Sequence, residues 1–406
     1  AAADAAANAE TSAKTKKEKA EGRDEPVAVA TDASRSSEPK PVISAFNPKS
    51  LSFHGTVALD VFCQRTGGVT PDQRRLLWTS CMKRTLVEGD EKDRGLVELL
   101  NATEAGEATE MASSFFSRLL GTVDRAQPWY VRLETEVGNA VFSSTLDKLV
   151  SQAFHVSTPV MEADSDTIQA LRRRIIFGVL DLVGTFVAYD PEVGYCRGMC
   201  NVAAFLLRVY DDSSVDEFVT QQRVFFVFVS LIRQFGMDAG FAPGVHAVRS
   251  FGSNSGAKVC DRAQIFGQVL ERALPDLAAH FHSINLAVST TVAPWLRTAL
   301  TDFHMLSPTV VSRVWDVVFT RLRFGEEQAW HVMYKVLLVV FRQLSPMLLE
   351  SGLEESLRVL WDLENQRPDV FSMHVGDLFR DWDAADEFMP PPLESPPPVG
   401  AAASRG

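Results

Sequence analysis

Apolar residues recur at spacings of three and four along most of the middle of this chain. In the clearest case Ile168, Leu171, Ile175, Val179, Leu182 and Phe186 fall on one stripe, the pattern of an amphipathic helix. Asp166 can cap its start through the carboxylate, and Gln169 stands at the reciprocal capping-box position. Asp190-Pro191 ends it, because the proline ring disfavours helical backbone at the preceding residue. The spacing therefore predicts a loop from Pro191 to Gly198 and a new helix from Met199 through Val202, Phe205, Leu206 and Val209. Similar runs predict helices over Val215–Phe235, Ala263–Leu274, Pro308–Thr320 and Glu326–Leu344. Sustained period-two alternation bounded by hairpin turns is lacking. The fold expected is all-α, a single large multi-helical domain with one continuous core.

The periodicity fades at both ends. Residues 1–48 are mostly Ala, Lys, Glu, Ser and Pro, a composition that buries too little surface to offset its ordering entropy, so a disordered N-terminal segment is expected. A lead-in at 49–66 precedes the main domain at 67–350, followed by C-terminal helices packed on it at 351–384. From 385 to 406 a Pro-rich disordered tail is expected, since Met389-Pro390-Pro391-Pro392 and Pro396-Pro397-Pro398 favour extended polyproline. That tail is either simply solvated or a ligand for a proline-rich-motif reader.

Composition narrows the classes. The chain has 406 residues, 46% of them apolar, and a net charge of −12. A nucleic-acid surface needs a clustered excess of Lys and Arg, so that class is excluded. Cys196 and Cys200 are spaced i,i+4, but no nearby His or Cys completes a tetrahedral site; no metal and no cofactor are expected, and the cysteines read as reduced thiols. His280 and His282 have no acidic neighbour in sequence and read as ordinary helix histidines. No uncharged apolar run reaches the ~18 residues of a membrane span, and the N-terminus lacks an apolar signal-peptide core. A cytoplasmic protein without a transmembrane segment is expected.

The segment 171–207 carries the most informative motif, Gly194-Tyr195-Cys196-Arg197-Gly198-Met199. It resembles the Gly-Tyr-x-Gln-Gly-Met loop of the TBC-domain family, the Rab GTPase-activating proteins. Other segments fit in order. Gly68-Val69-Thr70-Pro71, with Arg74 and Trp78, resembles the family's opening Gly-Ile-Pro…Arg-x-x-x-Trp helix. Trp295 follows Ala293-Pro294, and Arg313-Val314-Trp315-Asp316 resembles the Arg-x-Trp-Asp segment. A second finger motif of the family, Ile-x-x-Asp-x-x-Arg-Thr-x-Pro, is matched here by 146–155, which sets Gln152 at the arginine position and Leu149, Ala153 and His155 at three other diagnostic ones.

GTP hydrolysis needs an oriented water and positive charge against the phosphate oxygens. The resemblance implies that a TBC domain supplies both in trans to a GTP-bound Rab-family small GTPase, in the regulation of vesicle traffic. Here both finger motifs are altered: Arg197 stands where the family has glutamine, and Gln152 where it has arginine. Gly194, Tyr195, Gly198 and Met199 would shape the GTPase-binding loop, and both finger positions would line one groove. An arginine finger is worth ~10³–10⁵ in rate, which a neutral Gln152 cannot supply. A guanidinium only donates hydrogen bonds, whereas an amide both donates and accepts.

Three readings follow. The chain binds a Rab with stimulation of hydrolysis reduced or lost; or it activates through Arg197 as a single finger; or it is a helical adaptor with no GTPase partner. Through the GTPase, the cytoplasmic chain would be peripheral on endomembranes. The residues carry structural alternatives as well. Trp78, Trp295 and Trp315 are core anchors or partner contacts. Arg74 and Asp316 read as polar links inside the domain and not as catalytic contacts. Arg172-Arg173-Arg174 is a solvated helix face or an acidic-partner contact. Arg197 is an outward finger or an internal salt-bridge residue of a decayed site.

Overall fold

The computed structural model describes residues 69–86, 109–142, 165–211, 217–234, 258–302, 306–322, 326–366 and 383–390. All belong to one compact unit. Among these residues there are twelve α-helices, one short 3-10 helix and no strand. Gln152, the segments 1–48 and 49–66, and the proline runs beyond Pro390 lie outside the described residues.

Helix α1 (Pro71–Leu86) opens on a reciprocal cap. The Gln73 backbone N–H donates to Thr70 Oγ1 (3.3 Å) and the Thr70 N–H donates to Gln73 Oε1 (3.1 Å), with Pro71 at the first helical position. Helices α2 (Thr109–Gly121) and α3 (Pro128–Phe142) follow, then α4 (Ser165–Tyr189). The start of α4 lies one residue before Asp166, and its end falls where Asp190-Pro191 predicts. Helix α5 (Met199–Tyr210) buries Met199, Val202, Phe205, Leu206 and Tyr210. Helix α6 (Glu217–Gln234) is apolar almost all round from Val224 to Ile232 and is buried accordingly.

The second half contains α7 (Lys258–Ala273), α8 (Pro275–Ser283), α9 (Val288–Arg297), α10 (Pro308–Leu322), α11 (Glu326–Glu350) and α12 (Leu353–Gln366). Helix α11 runs past Leu344 and through Pro346. One backbone hydrogen bond is forfeited at the proline, but Leu344 and Leu348 are both fully buried, and their packing holds the last turn. The stretch Glu327–Glu350 is long and apolar enough to cross a membrane by composition. In this fold it is a central core helix, mostly buried, packed along α10.

The first residues of the tail expected from 385 are ordered by contact with the core. Residues Asp383–Phe388 form the 3-10 helix; Ala385 is buried, and Phe388 and Met389 pack against the core. Asp386 pairs with the buried Lys335 of α11 at 2.5 Å. These apolar contacts and the ion pair hold this short stretch against α11 and the core.

An aromatic cluster marks the centre of the core. The Trp78 ring lies 5.4 Å from Trp315 and 4.8 Å from Phe319, and Phe205 lies 4.8 Å from Trp315. This joins α1, α5 and α10, and so fixes the start of α5 relative to the rest.

Candidate functional site

The loop between α4 and α5 is built by two glycines. Gly194 has φ 65° and Gly198 φ 95°, a region costly for residues with a Cβ. At Gly198 there is also no room: a Cβ would stand 2.7 Å from Thr298 Cγ2. The backbone turn is closed by Gly194 N–H to Asp190 O (3.0 Å) and Met199 N–H to Cys196 O (3.2 Å).

A carboxylate from another helix holds this loop. Glu136 of α3 accepts the Tyr195 hydroxyl on Oε2. Its Oε1 accepts the Gly198 backbone N–H at 2.9 Å and the Cys200 thiol at 3.4 Å. Burial, followed by this carboxylate, pushes the Tyr195 hydroxyl well above the ordinary phenol range. Burial pushes the Cys196 thiol up to about 12 and the Cys200 thiol higher still. Both cysteines are free and buried, so they are inert thiols at neutral pH. Among the described residues no group of His, Cys, Asp and Glu is arranged to hold a metal.

Arg197 lies between these anchors and is exposed. Among the described residues its guanidinium makes no hydrogen bond or ion pair; its electrostatic neighbour is Asp302, whose carboxyl desolvation raises and Arg197 lowers. Asp302 belongs to a turn after α9 in which Ala299 (φ 48°) and Leu300 (φ 68°) are both left-handed. Non-glycine residues in that region signal local strain. The turn is held by Trp315 Nε1 donating to Ala299 O (2.8 Å) and Leu300 N–H donating to Trp295 O (2.8 Å). Thr298, in the same turn, is the residue that closes over Gly198.

The remaining motif residues sit deeper. Trp78, Trp295 and Trp315 are fully buried. Arg74 donates twice to Asp316, Nε to Oδ1 at 2.8 Å and Nη2 to Oδ2 at 2.9 Å, and Trp78 Nε1 donates to Oδ1 at 3.0 Å. Arg313 is buried and acts on Asp316 electrostatically. Met199 is fully buried under the loop, while Tyr195 is half-buried with its ring 6.5 Å from Trp129. Of the three arginines at 172–174, Arg173 is exposed and Arg174 pairs with Asp211 at 2.9 Å. His282 does have an acidic neighbour in space, Glu271 at 3.4 Å, and His280 meets the Ser351 carbonyl at 2.9 Å.

Glu136, Thr298 and Asp302 are the members of the site that sequence reasoning missed. One signal could have found the first. Leu133-x-x-Glu136 keeps the apolar-x-x-acid spacing that opens the finger motif, thirteen residues upstream of the match at Leu146, and Leu133 is fully buried.

Residues 178–349 match the family model of the Rab-GTPase-TBC domain. A TBC domain-containing protein of Schizosaccharomyces pombe is 22% identical over 244 residues, 57% of this chain and 28% of the relative. The chain thus spans little more than a quarter of that relative's length. Among solved structures, the flagellar RabGAP TBC domain of Chlamydomonas superposes with a TM-score of 0.50 at 16% identity, over 83% of this chain and 85% of that one. At such identity the likeness is one of fold: the all-helical TBC architecture.

Proposed function

We propose, from the match of residues 178–349 to the family model of the Rab-GTPase-TBC domain, that this chain is a cytoplasmic protein that binds a GTP-bound Rab through the face bearing loop 190–198 and stimulates hydrolysis less than a two-finger TBC domain does. The observation that carries this reading is Arg197. It is exposed and, among the described residues, makes no hydrogen bond or ion pair, on a loop pinned on both sides of it; that leaves it available to a partner, and it stands where the family presents a glutamine. A guanidinium cannot accept the hydrogen bond that holds the attacking water.

The missing cation deepens the deficit. If the motif register follows Leu133 and Glu136, the first-finger position is Asn139, one turn further along α3; if it follows Leu146, it is Gln152. Either residue is a neutral amide, and loss of an arginine finger removes ~10³–10⁵ in rate. A second reading is favoured by the same exposure of Arg197. It could deliver its own charge to the phosphate oxygens as a single finger, with the GTPase's glutamine placing the water.

Single-turnover GTP hydrolysis across a panel of Rab proteins separates these. The weak-activator reading expects binding with little stimulation, and a gain of orders of magnitude on Arg197→Gln combined with Asn139→Arg or with Gln152→Arg, whichever is the true register. The single-finger reading expects clear stimulation that Arg197→Ala abolishes. Absence of binding to any Rab in the panel, with none rescued by the double changes, contradicts both and leaves the helical adaptor.

A further inference from the structure

We infer that Glu136 is the positioning residue of this site, fixing the segment 195–198 so that Arg197 projects in one direction; the inference rests on the reading that this loop meets a GTPase. Arg197 is bracketed by a single carboxylate. The Tyr195 hydroxyl, two residues before it, donates to one oxygen of Glu136, and the Gly198 N–H, one residue after it, donates to the other at 2.9 Å. Both ends of a four-residue span are tied to one rigid point.

That point is rigid because of where Glu136 stands. Leu133 and Val137 of the same helix are buried anchors, and α3 packs on both α4 and α5, the two helices that the loop connects. Thr298 also stands close against Gly198, leaving no room there even for a Cβ. The loop is clamped between α3 and the strained turn after α9. Its own backbone bonds close the turn at Gly194 and Met199, but the bonds made by Tyr195 and Gly198 to Glu136 decide where Arg197 points. Displacement of a catalytic or binding group by ~1 Å can cost on the order of 10²-fold, so a residue that never touches the GTPase governs what Arg197 achieves.

The test uses the full chain and two readouts. The first needs no GTPase: maleimide labelling of Cys196 and Cys200 in the native protein, followed peptide by peptide by mass spectrometry. Both thiols are buried, Cys196 within the loop and Cys200 at the start of α5, and Cys200 shares the Glu136 carboxylate. Glu136→Ala should accelerate their labelling about tenfold or more, since two buried donors lose their acceptor. Glu136→Gln retains one acceptor oxygen and should fall between. The second readout is Rab affinity, expected to fall by about 10²-fold in Glu136→Ala and to recover partly in Glu136→Asp, with whatever stimulation of single-turnover hydrolysis the native chain gives lost alongside it. If the alanine variant fails to fold cooperatively, the glutamine variant carries the comparison. Labelling at the native rate in a folded Glu136 variant overturns the inference whatever the GTPase does. Faster labelling with native Rab affinity and hydrolysis keeps Glu136 as the loop's anchor and overturns the reading that the loop meets the GTPase.

Discussion

Two carboxylates organise this molecule, and they treat a nearby arginine in opposite ways. Asp316, fully buried on α10, gathers the Arg74 guanidinium bidentately together with the Trp78 indole. Glu136, half-buried on α3, gathers a hydroxyl, a backbone N–H and a thiol from the loop, and leaves Arg197 outside. In the first case the guanidinium is consumed by the fold: Arg74 joins α1 to α10 and also donates to the Val69 carbonyl at 3.4 Å. In the second the backbone is satisfied and the charge is left over. The comparison teaches that the role of a motif arginine is read from which of its atoms the fold has already used.

The largest expected effect comes from breaking the buried link. Asp316→Ala strands the Arg74 guanidinium and the Trp78 N–H in the core and should cost about 3–5 kcal/mol in denaturant unfolding, because a buried charge loses its partner. At the loop the vulnerable position is a glycine. Gly198→Ala should destabilise by ~1–3 kcal/mol through its left-handed backbone, with the clash at Thr298 Cγ2 added to it. Pairing it with Thr298→Ser, which deletes that methyl, should return the steric part and leave the backbone part. A full return would show that the conformation at 198 carries no strain.

Smaller still is a pH effect at His331 of α11. Desolvation lowers the His331 pKa below its ordinary 6.5, with Glu327 and Asp386 opposing and Lys335 and Arg262 reinforcing the shift. The unfolded chain therefore takes up this proton first as pH falls. Stability from this group is complete above about pH 6.5 and declines below it, by no more than about 1.4 kcal/mol per pH unit. His331→Gln should flatten that slope in unfolding curves taken between pH 7 and 5. At the bottom of the scale, Arg197→Ala should change stability by less than about 0.5 kcal/mol, since the guanidinium is exposed and, among the described residues, only the Asp302 carboxyl feels its charge. A loss comparable to that of Asp316→Ala would erase the contrast between the two arginines.

The helices were legible because their signal is local. The stripe from Ile168 to Phe186 needs only the 3.6-residue period, and α4 follows it to within a residue of the expected start. The last turn of α11 was missed because Pro346 reads as a terminator until the burial of Leu348 is known. In the site, Gly194, Arg197 and Gly198 could be found because their hexapeptide is contiguous. Glu136 could not be found in the same way: it bonds residues 59 and 62 positions away, and no periodicity encodes such a meeting. The turn at Ala299-Leu300 was harder again. Neither residue favours a positive φ, so the conformation is imposed by Trp315 and Trp295 from outside the segment.

The most direct test of the account is hydrogen–deuterium exchange of the full chain with and without a GTP-loaded Rab that binds it. The account predicts protection of residues 194–199 and of the turn at 298–302 in the GTP-bound complex, lost with the GDP form and weakened by Arg197→Ala. Protection confined to other surfaces, such as the exposed Leu353, Leu357 and Trp361 side of α12, with loop 194–199 exchanging as in the free chain, would contradict it.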